Sequence, residues 1–187
     1  AGHLNVMEWL LQQSPAEAQS IMVGGNYSAF RDAITYNRDE VINYLLPHPF
    51  VLNFAEAHHN EYREKVIPWI TQTMQAVRTQ REQVEIGHPN AVFDIQDPTE
   101  VARYYLIARN LIRRNSNALN DDLRLLLSIP AIKAHAAGHP LANDTNELLR
   151  LAMSQQNTEA AQLLLTIPAV LQLAQRDNFY RAEARGT

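Results

Sequence analysis

Two histidines near the middle of the chain have the spacing of metal ligands. His135 and His139 are four residues apart, which on one continuous helix would place both side chains on the same face, as a zinc site requires. Gly138 precedes the second histidine, so we predict that the helix ends before it. His135 also aligns with Phe54 and Leu173 in the internal repeat described below, which favours a partly buried repeat position. We therefore predict no metal ion and no cofactor.

A second pair of histidines supports an alternative function. His58 and His59 lie among the carboxylates Glu56 and Glu61, which supply nitrogen and oxygen donors within a few residues. Combined with His135, this set defines the alternative that we keep open, a helical metal-dependent enzyme that uses a histidine and carboxylate cluster.

Other catalytic patterns are missing from the sequence. The chain has no cysteine, which excludes disulfides, thiolate zinc sites and cysteine nucleophiles. It contains no G-x-S-x-G motif and no glycine-rich phosphate loop. Asp121 and Asp122 are adjacent, but they align with the start of a repeat helix, where carboxylates stabilise the helix dipole. The sequence therefore favours a domain without catalytic activity, although it does not decide the matter.

Arginine and tyrosine, the residue types enriched in interface hot spots, are concentrated on one predicted helix. We predict a partner-binding surface formed by six residues: Tyr36, Arg103, Tyr104, Arg109, Arg113 and Arg114. Tyr36 is included because it falls in a turn between two repeat helices. The alternative is that the arginines form a solvated face and the tyrosines pack in the core.

Composition limits the classes of partner. The chain has 187 residues, 46% of them apolar and 19% charged, which is typical of a folded globular protein. Its net charge of −4 argues against nucleic acid, since phosphate binding needs a concentrated positive face. No apolar run is long enough to span a membrane. We expect a cytoplasmic location. The chain begins with Ala1 rather than Met, and we expect it to be a fragment of a longer protein.

Three segments repeat a leucine pair followed, three residues after its second member, by a proline. They are residues 45–51, 126–132 and 164–170. Between residues 125–136 and 163–174, seven of twelve positions are identical, and between residues 33–55 and 152–174, eight of 23. A helix that recurs with its own stop signal predicts stacked helical units, each too small to hold a core alone.

The apolar spacing then predicts the elements that carry the candidate residues. We expect one all-α domain over residues 1–187, with an N-terminal helical cap (1–25) and a first repeat (28–62). A long helix, about residues 67–85, and a loop fill residues 63–98. The second repeat spans residues 99–137 and the third spans residues 145–180.

The third unit resembles an ankyrin repeat. Residues 146–157 are similar to its first helix and turn, and residues 158–165 are similar to its second helix. Residues 28–46 fit the same template, whereas the second unit matches only over residues 120–127. No Thr-Pro-Leu-His tetrapeptide opens any unit, and the first and second units are 81 residues apart. The resemblance implies an interrupted array of ankyrin-like helix-turn-helix repeats with an inserted long helix.

Divergent, interrupted repeats of this kind are similar to those in effector proteins of intracellular bacteria. The resemblance implies a protein–protein interaction or scaffold module, which would be a non-catalytic domain of a multidomain bacterial effector. Its partner would be a host protein or a neighbouring domain of the same chain. An effector would be secreted into the host cell cytoplasm. A structural linker within a larger effector is a third interpretation.

Overall fold

A computed structural model describes residues 4–177, and all regular secondary structure in that range is helical. The eleven helices there are, in chain order, α1 (Leu4–Gln13), α2 (Pro15–Thr35), α3 (Asp39–Leu45), α4 (Pro49–Ala57), α5 (His59–Gly87), α6 (Pro98–Arg114), α7 (Asn117–Ser128), α8 (Pro130–Ala134), α9 (Glu147–Ser154), α10 (Thr158–Leu165) and α11 (Pro168–Arg176). The predicted all-α fold class is confirmed. The last positions of the predicted third repeat, 178–180, lie outside the described residues.

The chain divides into two compact units, Ala1–Gln75 and Ala76–Thr187, and the division falls within α5. Each unit is described by itself below. The first unit holds the N-terminal helices and the first repeat, and the second holds the other two repeats. The expectation of a single domain with the predicted internal boundaries stays a prediction.

Equivalent positions of the three repeats have equivalent environments. The first leucine of each pair is fully buried in all three repeats, as Leu45, Leu126 and Leu164. The three aligned prolines each take the first position of a further short helix, which are Pro49 in α4, Pro130 in α8 and Pro168 in α11. Proline suits this position because the first helical amide has no partner within the helix. The predicted stop signal is therefore also the start signal for a third helix in each repeat.

The turn between the first and second helix is also shared. Asn37, Asn115 and Gln156 occupy it with φ angles of 52°, 43° and 56°. This left-handed conformation is disfavoured for most residues but accessible to asparagine. In the first and third repeats the next amide returns to the first helix, from Arg38 to the Ala33 carbonyl and from Asn157 to the Ala152 carbonyl, both at 2.8 Å.

The first two helices meet at a serine–proline pair, and α2 is itself interrupted. Ser14 precedes Pro15, which opens α2, and the helical backbone breaks at Gly24 to Tyr27. Gly25 has a φ of 59°, which suits a residue without a side chain. Tyr27 shares this left-handed conformation at φ 59° and stacks on Phe54, with ring centroids 4.1 Å apart. The contact between the two rings holds the segment that leads into the first repeat.

The long helix begins earlier than we predicted. Helix α5 starts at His59, not near residue 67, and Pro68 lies inside it. Proline costs the helix one hydrogen bond. Buried residues continue at helical spacing on both sides of that position, which compensates for the loss; they are Tyr62, Val66, Trp69, Ile70 and Met74. Within the first unit, Lys65 of this helix forms an ion pair with Asp39 at the start of α3, at 2.7 Å.

Helix α6 is the interior helix of the second unit. Eleven of its seventeen residues are buried, and it contacts α7, α8 and α9. It begins at an Asp97 cap whose side chain accepts a hydrogen bond from the Thr99 amide at 3.0 Å. Its end carries Asn115, whose side chain donates to the Gln155 carbonyl at 2.6 Å. Both ends are therefore fixed, and one of them is tied to the next repeat.

Polar side chains connect the second repeat to the third. Asn120 on α7 donates to Glu159 on α10 at 2.8 Å, and Arg124 forms an ion pair with the same carboxylate at 3.0 Å. Asn157 caps α10 by accepting from the Ala160 amide at 3.1 Å. These polar contacts join α7 to α10, and Leu123, Leu125 and Leu127 of α7 are buried within the same unit.

Candidate functional site

The six predicted partner-binding residues have unlike environments. Tyr104 and Arg109 are buried inside the second unit, because α6 is covered along most of its length. Arg103, Arg113 and Arg114 are partly buried. Tyr36, in the first unit, is exposed. The helix therefore does not present its arginines and tyrosines as one continuous surface, and whether any of the six contacts a partner stays a prediction.

Arg109 is a structural residue in this fold. Its guanidinium donates to Glu147 at 2.9 Å, and the two side chains are 3% and 11% exposed. The second carboxylate oxygen of Glu147 accepts from the Asn143 amide. This ion pair joins the interior helix to the start of α9 and to the loop before it. A buried arginine needs such a partner, since an isolated charge is very costly to remove from water.

The arginines at the end of α6 lie closer to solvent. Burial lowers the pKa of Arg114, while Asp122 on α7 opposes that shift. Asp122 is itself buried and forms an ion pair with Arg78, which belongs to the same unit. Asp121 and Asp122 thus lie in the second turn of α7 and not at its capped start, where we predicted them.

Tyr36 lies in an exposed turn. It follows the last residue of α2, between the first two helices of the first repeat, and 71% of its surface is exposed. This agrees with its predicted place in a turn. Single exposed apolar or aromatic side chains are normal on protein surfaces, so a contact role for Tyr36 stays a prediction.

His135 and His139 are close together although the helix between them ends. Helix α8 stops at Ala134, yet the two imidazole rings are 5.0 Å apart. His139 also stacks on the buried ring of Tyr105 at 4.8 Å. Its Nδ1 accepts a hydrogen bond from the Leu141 amide at 3.0 Å, which places the ring proton on Nε2. Burial lowers the pKa of His139, and His135 lowers it further.

Nothing in residues 4–177 favours the metal-dependent enzyme. In that range no three histidine, aspartate or glutamate side chains come close enough to share an ion. His58 lies in the first unit and His135 in the second, so each is described with its own neighbours. The Nδ1 of His58 hydrogen bonds with the Phe54 carbonyl at 2.9 Å, which accounts for its orientation by local packing.

A groove of about 460 Å³ opens beside the histidine pair in the second unit. We call it the Asp94 groove. The residues that define it come from the loop before α6, from α8 and from the loop after it; they are Asp94, Gln96, Ala131, Ala134, His135 and His139. Ile95, Val101 and Ala102 supply apolar surface to the same groove.

Sequence analysis missed two features of this region. Glu147 was not predicted to pair with Arg109, although it lies 38 positions further along the chain, which is the offset between the second and third repeats. The two residues therefore hold equivalent positions in neighbouring repeats, and this could have indicated the contact. Asp94 was assigned only to a loop, and its contact with α8 had no signal in the sequence because it joins residues 37 positions apart.

The stacked helix-turn-helix units, each followed by a short proline-initiated helix, define an ankyrin-like helical repeat protein. The chain is similar to a solved structure of an ankyrin repeat family protein from Legionella pneumophila, with 42% sequence identity and a TM-score of 0.86. The match covers 91% of this chain and 50% of that protein, so the chain spans half of the relative's length. No protein-family model matches the chain, and the search of curated proteins found no similar sequence. In residues 4–177 no helix is both long and apolar enough to cross a membrane.

Proposed function

We propose that the chain is a protein–protein interaction module, a non-catalytic domain of a multidomain bacterial effector. The observation that carries this proposal is the ankyrin-like repeat architecture shared with the Legionella pneumophila protein over 91% of the chain. Ankyrin-like stacks provide extended surfaces whose turns and helix faces bind partners. Its partner is a host protein or a neighbouring domain of the same chain, and the effector acts in the host cell cytoplasm.

The exposed turn of the first repeat and the end of α6 supply the contact residues in this proposal. Tyr36 contributes an exposed aromatic ring, and aromatic residues dominate interface energetics. Arg103, Arg113 and Arg114 retain partial exposure on α6. Tyr104 and Arg109 support these positions from the interior and are left out of the contact surface.

A pull-down from host-cell lysate tests the proposal. The chain is immobilised, and the retained proteins are compared with those held by Tyr36→Ala and Arg113→Glu. Arg63→Glu is the matched control, because Arg63 is an exposed arginine on α5 outside the proposed surface. We expect one or more proteins that the wild type and the control retain and that at least one surface variant loses.

Two outcomes would contradict the proposal. One is the absence of any partner that depends on the surface residues. The other is enzymatic turnover that tracks a stoichiometric bound metal and is lost in His135→Ala, which would support the metal-dependent enzyme instead. Far-UV circular dichroism of each variant separates loss of binding from loss of folding.

A further inference from the structure

The Asp94 groove has a fixed carboxylate at its rim. Asp94 Oδ1 accepts hydrogen bonds from its neighbour Ile95 at 2.8 Å and from the Ala131 amide at the start of α8 at 3.0 Å. Its Oδ2 is 3.3 Å from the Gln96 side-chain amide. A carboxylate offers about four acceptor positions, so these three contacts orient Asp94 without using all of its capacity. The side chain is therefore held in place while its residue remains exposed.

The segment that forms one rim of the groove carries only negative formal charge. Residues 88–102 contain Asp94, Asp97 and Glu100, with no lysine or arginine. Asp94 carries the only carboxylate charge among the described residues that line the groove, and no lysine or arginine is among them. Burial lowers the pKa of His139, which disfavours a positive charge on its imidazole. The rim is thus complementary to a cation.

The rest of the groove suits the stem of a long basic side chain. Ala131 and Ala134 leave space along α8, and the rings of His135 and His139 line that side at 68° to each other. The guanidinium group is planar, stacks on aromatic rings and forms charge-assisted hydrogen bonds with carboxylates, here with the remaining acceptor position on Asp94 Oδ2. A volume of about 460 Å³ lies within the range of binding pockets and accommodates one such side chain with its neighbours.

We propose that the Asp94 groove binds a peptide segment of a protein partner through an arginine side chain, whose guanidinium pairs with Asp94 and whose stem lies against Ala131, Ala134 and the two histidine rings. This inference rests on the proposed function and names the chemistry that one of its surfaces recognises. The Asp94 groove shares no lining residue with the proposed contact residues Tyr36, Arg103, Arg113 and Arg114.

The probe for this proposal is a random peptide library displayed on phage and selected on the whole chain. We expect enriched peptides to share an arginine flanked by apolar residues. A synthetic copy of one such peptide, and a second copy with norleucine in place of the arginine, are then titrated by fluorescence anisotropy. The norleucine peptide should bind the wild-type chain about tenfold more weakly, as expected for the loss of one charge-assisted pair.

Two variants and one control locate the binding. Asp94→Asn keeps an oxygen that accepts from the same two amides, so the fold is preserved while the charge is lost. It should weaken the arginine peptide about tenfold and leave the norleucine peptide unchanged. Ala134→Trp fills the groove and should abolish binding of both peptides. Lys133→Ala, an exposed neighbour on α8, should leave both affinities as they are.

Enrichment of acidic or purely apolar peptides, or no enrichment at all, would overturn the proposal. So would equal effects of Asp94→Asn on the two peptides, or binding that survives Ala134→Trp. The pull-down from lysate distinguishes failure of this proposal from failure of the proposed function. If the Ala134→Trp variant still retains the partner that Tyr36→Ala loses, the chain is an interaction module but the Asp94 groove is not its binding site.

Discussion

The buried ion pair between Arg109 and Glu147 allows the most demanding test of the fold of the second unit. We consider Glu147→Gln, which keeps the size of the side chain and one oxygen for the Asn143 amide but removes the negative charge. Arg109 would then keep its positive charge in an interior where it is only 3% exposed. The matched compensating variant is Arg109→Met combined with Glu147→Gln.

The size of the effect follows from burial. Removing one partner of a buried pair costs about 3–5 kcal/mol, because the remaining charge has lost its counter-charge. Glu147 is 11% exposed, so some solvent screening remains and we take the lower end, about 3 kcal/mol. Replacing both charges by uncharged side chains of similar volume removes the penalty, and we expect the double variant to recover at least about 2 kcal/mol of that loss.

Urea unfolding measured by two signals provides the assay. Far-UV circular dichroism reports the helices of the whole chain, whereas both tryptophans, Trp9 and Trp69, belong to the first unit. With a denaturant slope of about 2 kcal/mol per molar urea, a loss of 3 kcal/mol lowers the midpoint by about 1.5 M. We expect that shift in the dichroism transition, and tryptophan fluorescence shows whether the first unit unfolds together with the second.

The reasoning would be refuted by either of two results. A loss below about 1 kcal/mol in Glu147→Gln would mean that the pair behaves like an exposed one. Additive losses in the double variant would mean that Arg109 stabilises the fold through packing and not through its charge partner.

Three further predictions concern single positions. Burial lowers the pKa of His139 below its ordinary 6.5, so the unfolded state binds the proton more readily than the folded state. The unfolding free energy should therefore fall as pH drops below about 6.5. His139→Gln should flatten this slope in urea titrations at several pH values. Leu164→Ala should cost about 3 kcal/mol in thermal and urea unfolding, since Leu164 is fully buried, and a loss under about 1 kcal/mol would contradict its place in the core. Gly25→Ala should destabilise the first unit by about 1 kcal/mol, because φ is +59° and the added carbon would lie 3.1 Å from Ser28 Oγ. Gly24 has open space around it, so Gly24→Ala is the control and should shift the urea midpoint of tryptophan fluorescence less.

The repeat was the part of the fold most accessible from sequence. Leu45, Leu126 and Leu164 align without gaps, and each is fully buried, because the position faces the core in every repeat. The prolines were understood only in part. Their inability to continue a helix was recognised, but their suitability for the first position of the next helix was not used, so α4 and α8 were not predicted as separate elements.

The predicted start of the long helix, near residue 67, was wrong because a local rule, proline at the first helical position, was given priority over packing. Pro68 resembles a helix start, and a proline at that position is favourable. In the structure, the buried side chains of Tyr62 and Val66 precede it on the same stripe as Trp69 and Ile70. Burial of several large side chains outweighs one lost backbone hydrogen bond, and only tertiary structure decides that balance.

The candidate contact residues show where sequence reasoning reaches its limit. Tyr36 could be placed in an exposed turn, since turn residues surround it and no apolar stripe includes it. Arg109 could not be assigned to the interior from its own helix, because arginine is almost never fully buried without a partner. That partner, Glu147, belongs to the next repeat. The burial of Arg109 thus depends on Glu147, which lies 38 positions further along the chain.

The burial of α6 on most of its surface affects how the protein is synthesised. Eleven of its seventeen residues are buried, and the elements that α6 contacts most, α7, α8 and α9, all follow it in the chain. Until a ribosome has released residues beyond about position 154, an emerging α6 has no shelter and exposes apolar surface to the surrounding solution. We therefore expect expression fragments that end between α6 and α9 to be less soluble than the whole chain, which a comparison of soluble yields checks.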